Sequence, residues 1–182
     1  MNEFVVSTEQ NISDSNKRIF GELKGLFGIV PNIFAAFASS ENGLENYFNY
    51  LTQKSSLSDR ERETVNLIVS QVNQCPYCLS FHTIIAGRIG FTNDQILDIR
   101  SNNISFDRRL KAIAALAHNI TITKGQIVGD ILEEFYEAGY DQGHLVDVVL
   151  AVGNIWTLNL LYAITNVPID WPKVNVIINK PF

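Results

Sequence analysis

The segment SDRERETVNLIVSQVNQCPYCLSFH, from Ser58 to His82, holds the features on which both fold and chemistry turn. Ser58 and Glu61 form a capping-box pattern, a hydroxyl and a carboxylate spaced so that each satisfies an orphan backbone N–H at a helix start. Val65, Ile68, Val69 and Val72 follow at helical spacing, which predicts a helix ending near Val72. Cys75-Pro76 then restarts the chain. Proline is favoured at the first helical position, so Cys75 becomes the cap of a second helix that is expected to run to about Gly90.

The helical pattern continues outward on both sides. Ile19, Phe20, Leu23, Leu26 and Phe27 make one stripe, stopped by Gly28, and Asn32 after Pro31 is expected to cap a short second helix. Leu44, Tyr47, Phe48 and Leu51 mark a third, separated from the central segment by the polar run Gln53-Lys-Ser-Ser. Beyond the centre, helices are expected over 94–100, 107–121, 126–138 (closed by Gly139) and 142–165. Strand signals are confined to the tail, where Val174, Val176 and Ile178 alternate after Trp171-Pro172. That stretch reads as extended, or as an arm lying on a neighbouring subunit. The reading is an all-α chain, one domain over residues 1–182, without linker or repeat.

Composition narrows the function classes. The chain has 182 residues, 46% hydrophobic and 18% charged, a length at which folding buries roughly 70% of the unfolded surface. Fourteen Lys and Arg against 19 Asp and Glu leave a net charge of −5, and no basic cluster offers a footprint for nucleic acid. The start, Met1-Asn-Glu-Phe-Val-Val-Ser, lacks the parts of a secretion signal, so a cytoplasmic location is expected and the acceptor triplets at Asn11, Asn103 and Asn119 are accidental. Val148 to Ile169 carries no charge, but Gly153, Asn154, Thr157, Asn159, Thr165, Asn166 and Pro168 interrupt it. It is expected not to enter a membrane but to be a helix buried against the core and against a neighbouring subunit. Two cysteines are too few for a disulfide scaffold, and in a reducing compartment a pair points to chemistry or metal.

That pair lies in Cys75-Pro-Tyr-Cys78-Leu-Ser-Phe-His82. With Cys75 at the cap and Cys78 at the third helical position, the sulfurs are close enough to exchange between dithiol and disulfide. Both sit at the positive end of the helix dipole, which favours thiolate. His82 follows Cys78 by four residues and shares its helix face, within reach of a proton relay directly or through water. Glu63, by helical projection, lies opposite the stripe of Val65, Ile68, Val69 and Val72, which by itself makes it a solvated carboxylate.

These residues resemble the alkylhydroperoxidase D-like members of the carboxymuconolactone decarboxylase superfamily. That family carries a Glu, a Cys-x-x-Cys beginning twelve residues later, and a His four residues past the second cysteine; Glu63, Cys75, Cys78 and His82 fit. Leu26-Phe-Gly-Ile-Val-Pro-Asn-Ile-Phe resembles the family's amino-terminal segment, and Asn159 through Asp170-Trp-Pro its closing segment. The resemblance implies an all-helical homo-oligomer, trimeric or hexameric, that reduces hydroperoxides. Cys78 would be the peroxidatic nucleophile, Cys75 the resolving thiol, and Glu63 with His82 the proton relay. A lipoyl-bearing protein or another dithiol carrier would return the electrons, with no cofactor. One position departs: Tyr77 stands where the best-known branch often has His. Tyrosine accepts protons poorly near neutral pH, which implies a shorter relay.

Other readings of the same residues remain. Cys-Pro-Tyr-Cys also occurs in glutaredoxins, but there it follows a strand of a βαβ unit, and no strand pattern surrounds it here. Cys75, Cys78, His82 and Glu63 are also plausible zinc ligands, although three of them come from one helical turn and its cap. A redox sensor or disulfide carrier on the same fold, and a cysteine-independent decarboxylase, complete the alternatives. His118 reads as packing and His144 as lacking a nearby partner. Phe81, Ile84, Ile85 and Ile89 read as packing for the cysteine helix, Trp156 and Tyr162 as packing in the last helix, and Arg108-Arg109 as solvent-facing.

Overall fold

The computed structural model describes residues 4–177. Among these, one 3-10 turn (Glu9–Asn11) precedes nine α-helices, and no strand occurs. The helices are α1 (Asp14–Phe27), α2 (Asn32–Phe37), α3 (Gly43–Thr52), α4 (Asp59–Val72), α5 (Pro76–Arg88), α6 (Asn93–Arg100), α7 (Arg108–Thr123), α8 (Ile131–Glu137) and α9 (Gln142–Thr165). The absence of strands from the described residues removes the βαβ setting that a glutaredoxin needs. Two compact units can be described separately.

The first unit comprises residues 4–54 with Leu160–Asp170. Its core is built from Ile19, Phe20 and Leu23 of α1, Ile33 and Phe34 of α2, and Leu44 and Tyr47 of α3. Ser13 caps α1 by accepting the Asn16 N–H, and Gly28, at φ 77°, ends it as expected. The expected cap of α2 is displaced by one residue. Pro31 occupies the cap position and has no side-chain acceptor, so the acceptor comes from far along the chain. The Asp170 carboxylate takes the Asn32 backbone N–H at 2.9 Å and its side-chain amide at 2.8 Å.

The second unit comprises Ser55–Asn159 with residues 171–177. At its centre α4 packs against α5, α6 and α7. That position buries Thr64, Val65, Leu67, Ile68, Val69 and Ser70, with roughly 1.5–3 kcal/mol from each large aliphatic side chain removed from water. The capping box of Ser58 and Glu61 is formed in both directions. At the other end, Gln74 takes φ 52°, its N–H bonds Gln71 O at 3.1 Å, and Cys75 N–H bonds Ser70 O at 2.9 Å. This is a Schellman turn, and it delivers Cys75 directly from the end of α4 to the start of α5.

Two expectations for this unit change. The helix expected over 126–138 begins only at Ile131, because Gly125 and Gly129 take left-handed backbone at φ 92° and 65°. The tail is extended without forming a strand, and it lies on its own chain. Val174 N–H bonds Ser80 Oγ at 3.0 Å, Gln71 Nε2 bonds Ile177 O at 2.9 Å, and Arg100 donates to Asn175 O. Ile178, the last of the alternating residues, lies outside the described residues. Helix α9 is long and apolar enough to cross a membrane by those two criteria. Within this unit it turns Val148, Val152, Ile155 and Leu158 inward and leaves Val146 and Val149 exposed.

Candidate active site

Cys75 occupies the N-cap of α5 with Pro76 at the first helical position, and its sulfur accepts the Cys78 N–H at 3.3 Å. Both cysteines are free, buried and 2% exposed, with their sulfurs 2.9 Å apart. The hydrogen bond from Cys78 holds the Cys75 thiol below its ordinary value. Burial opposes this, while the N–H groups of Cys78 and Tyr77 and the Asn159 side chain add to it. Burial pushes the Cys78 thiol well above its ordinary value, and Cys75 beside it adds to the rise. The helix cap position and the Cys78 N–H at 3.3 Å favour negative charge on the Cys75 sulfur.

His82 lies one turn beyond Cys78 on α5, and Glu63 comes from α4. Their side chains meet, His82 Nδ1 to Glu63 Oε2, at 2.7 Å. Glu63 is only 8% exposed and His82 7%, so the solvated carboxylate expected from helical projection is not what forms. With α5, α6 and α7 packed around it, α4 buries the face opposite its valine stripe as well. The other Glu63 oxygen accepts Asn66 Nδ2 at 3.0 Å. Hydrogen bonds at both oxygens fix the carboxylate, and the carboxylate fixes the imidazole. Tyr77 is buried at 3% exposure between the two cysteines in sequence. Phe81 makes an edge contact with His82 at 5.0 Å between ring centroids, and the ring of Trp171 in the tail lies 5.2 Å from that of Phe81.

Some participants were not legible in the sequence. Asn159 of α9 is 3% exposed; its Oδ1 accepts Asn73 Nδ2 at 2.9 Å and its Nδ2 faces Ser70 Oγ at 3.4 Å. Sequence separations of 84 and 81 residues from the cysteines leave no local pattern to read. Arg108 and Arg109 are both exposed, as expected, but Arg109 also reaches Glu61 Oε1 at 3.1 Å and lies over the Tyr140 ring at 4.2 Å. His144 has a partner after all, with Nδ1 2.6 Å from Asp141 Oδ1. Among the described residues, no three of His, Cys, Asp and Glu converge as metal ligands.

A helical fold carrying a buried dithiol beside a carboxylate–imidazole pair defines a class, and comparison with known proteins gives it a family. Residues 40–119 match the carboxymuconolactone decarboxylase family. The uncharacterized protein YdfG of Bacillus subtilis (strain 168) is 31% identical over 110 residues, 59% of this chain and 75% of that protein. The chain belongs to the carboxymuconolactone decarboxylase family, and its fold is that of the alkylhydroperoxidase D-like members. The alkylhydroperoxidase AhpD core of a peroxidase-related protein from Ralstonia eutropha JMP134 superposes with a TM-score of 0.80. It is 19% identical, with 89% of this chain and 88% of that chain covered. The debrominase Bmp8, in complex with 2,3,4-tribromopyrrole, superposes at 0.78 and 15% identity, with 93% of each chain covered. One fold therefore serves proteins of more than one described activity.

Proposed function

We propose that this chain is a thiol-dependent hydroperoxide reductase of antioxidant defence. The observation that carries the reading is the buried pair of free thiols on the same helix as His82, which the Glu63 carboxylate holds at 2.7 Å. In the proposed cycle His82 takes the Cys78 proton, and the thiolate attacks the terminal peroxide oxygen. The O–O bond breaks as an S–O bond forms. The leaving alkoxide takes the proton back from His82 and departs as alcohol, leaving Cys78 as a sulfenic acid. Cys75 then attacks that sulfur, releasing water and closing the disulfide, so two electrons have passed from the dithiol to the peroxide. A lipoyl-bearing protein or other dithiol carrier reopens it. The raised Cys78 pKa gives the base a task, since this sulfur does not ionise unaided near neutral pH.

Cys78 takes the attacking role because of its place in the family motif, whereas the resting electrostatics put charge first on Cys75. The proposal also includes assembly with further copies of the chain, as a trimer or hexamer, in the cytoplasm. The deciding measurement is a free-thiol titration of reduced protein before and after one equivalent of an alkyl hydroperoxide. Wild type is expected to lose both thiols together, Cys75→Ser to stop at a sulfenic acid on Cys78, and Cys78→Ser to stay inert. Sulfenic acid in Cys78→Ser alone would reverse the two roles. Survival of both wild-type thiols would end the peroxidase reading and leave a disulfide carrier or sensor on the same residues.

A further inference from the structure

We infer that Asn66 is a positioning residue of the Glu63–His82 pair. Its side-chain N–H, held on Glu63 Oε1, reserves Oε2 for His82 Nδ1–H and leaves His82 Nε2 as the basic nitrogen. The inference rests on the proposal that His82 takes the Cys78 proton, and it adds the group that selects which ring nitrogen does so.

Glu63 sits in the interior of α4 at 8% exposure, and among the described residues no Lys or Arg pairs with it. Its oxygens are held by side chains of two helices. His82 Nδ1 of α5 lies 2.7 Å from Oε2, and Asn66 Nδ2 of α4 lies 3.0 Å from Oε1. A carboxylate only accepts, so the amide presents its NH2 group to Oε1 and a neutral imidazole carries its proton on Nδ1. Asn66 follows Glu63 by three residues, the spacing at which side chains on one helix are neighbours. Phe81, with its ring centroid 5.0 Å from that of His82, has no hydrogen-bonding atom on its side chain and cannot select a tautomer.

The last bond of a glutamate side chain turns in a broad, two-fold well, so the carboxylate does not keep its orientation unaided. Asn66 ties one oxygen to the helix that carries Glu63, and the other stays aimed at the imidazole. Without that tie the carboxylate turns away from Nδ1, and the ring redistributes its proton between the two nitrogens. A ring protonated on Nε2 has no lone pair there to receive a proton. Asparagine forms helix less well than leucine or alanine, so the amide adds nothing to α4 by propensity. Its contribution lies in the hydrogen bond to Glu63.

The test reads the tautomer by nuclear magnetic resonance and needs no peroxide. Reduced full-length protein is labelled with 15N at its 3 histidines, and the ring-nitrogen signals of His82 are assigned by their loss in His82→Gln. The neutral ring of wild type is expected to carry its proton on Nδ1. Asn66→Leu removes the donor and keeps the helix, and it is expected to move the population toward Nε2–H. Oxidation of its thiols by an alkyl hydroperoxide should slow roughly tenfold, a fraction of a full acid–base contribution. An Nε2–H ring in wild type overturns the inference, as does a folded Asn66→Leu with the wild-type tautomer. A changed tautomer with an unchanged oxidation rate overturns the positioning role. If Asn66→Leu does not fold, Asn66→Ala decides by the same spectrum, and an unchanged tautomer there overturns the inference. A wild type that keeps both thiols in peroxide ends the peroxidase reading without touching the tautomer result, so the two failures are distinguishable.

Discussion

Glu63 meets His82 through burial rather than through its own neighbourhood in sequence. Projection on α4 puts it opposite the valine stripe, and the packing of three helices around α4 turns that opposite face into a second interior. There a lone carboxylate is costly, and His82 at 2.7 Å with Asn66 at 3.0 Å satisfies it. Glu63→Gln keeps the shape but loses the charge that orients the imidazole. Stopped-flow oxidation by an alkyl hydroperoxide should slow by about 10²-fold, the low end of a general acid–base contribution, with thermal unfolding little changed. A large fall in melting temperature with little change in rate would make the pair structural. Of the five residues singled out from the sequence, the cysteine pair and His82 were legible because helical spacing alone brings them together. The partner of His82 lies nineteen residues away on another helix. Asn159 was invisible for the same reason, since contact between distant elements leaves no periodicity.

The helices themselves were largely legible, because each buried stripe imposes a 3.6-residue rhythm and several starts carry a side-chain cap. Ser13, Ser58 and Thr92 all bond the backbone N–H three residues on. Expectation failed where glycine or proline broke a rule that composition does not announce. Gly129 cut the first residues from α8, and Pro31 displaced the cap of α2 onto Asp170. Between α4 and α5 the chain accepts a cost. Gln74 sits at φ 52°, backbone that L residues avoid by roughly 1–2 kcal/mol, and this brings Cys75 onto its cap. Gln74→Gly is therefore expected to stabilise the protein by about 1 kcal/mol, less any entropy the unfolded chain gains, as read from the urea midpoint. A destabilised Gln74→Gly would mean that the Gln74 side chain contributes more than its backbone costs.

Around the start of α4, Glu61 joins three parts of the second unit. Its carboxylate accepts Ser58 N–H at 2.8 Å, Tyr140 OH at 2.8 Å and Arg109 at 3.1 Å, and Tyr140 stacks on Phe135 with ring centroids 4.4 Å apart. Burial works against the Glu61 charge, but the hydrogen bonds from Ser58, Tyr140 and Arg109 outweigh it and hold the carboxyl below its ordinary 4.5. A depressed carboxylate adds stability that is complete above its unfolded pKa and is lost as pH falls through the folded one. The urea midpoint of the wild type should therefore drop on acidification below about pH 4.5. Glu61→Gln should start lower near neutral pH and show a shallower acid slope; parallel curves would remove Glu61 from the acid response.

Sequence by itself determined the helical class, most helix boundaries, the caps, and the placement of two thiols and an imidazole on one turn and the next. Those are local consequences of spacing, and a helix converts spacing into geometry without outside help. Tertiary packing decided which carboxylate meets His82, which amide meets Ser70 and Asn73 at the end of α4, where the tail lies, and that Arg109 closes on Glu61. Each of these joins residues far apart in the chain, and such contacts are set by which surfaces become interior.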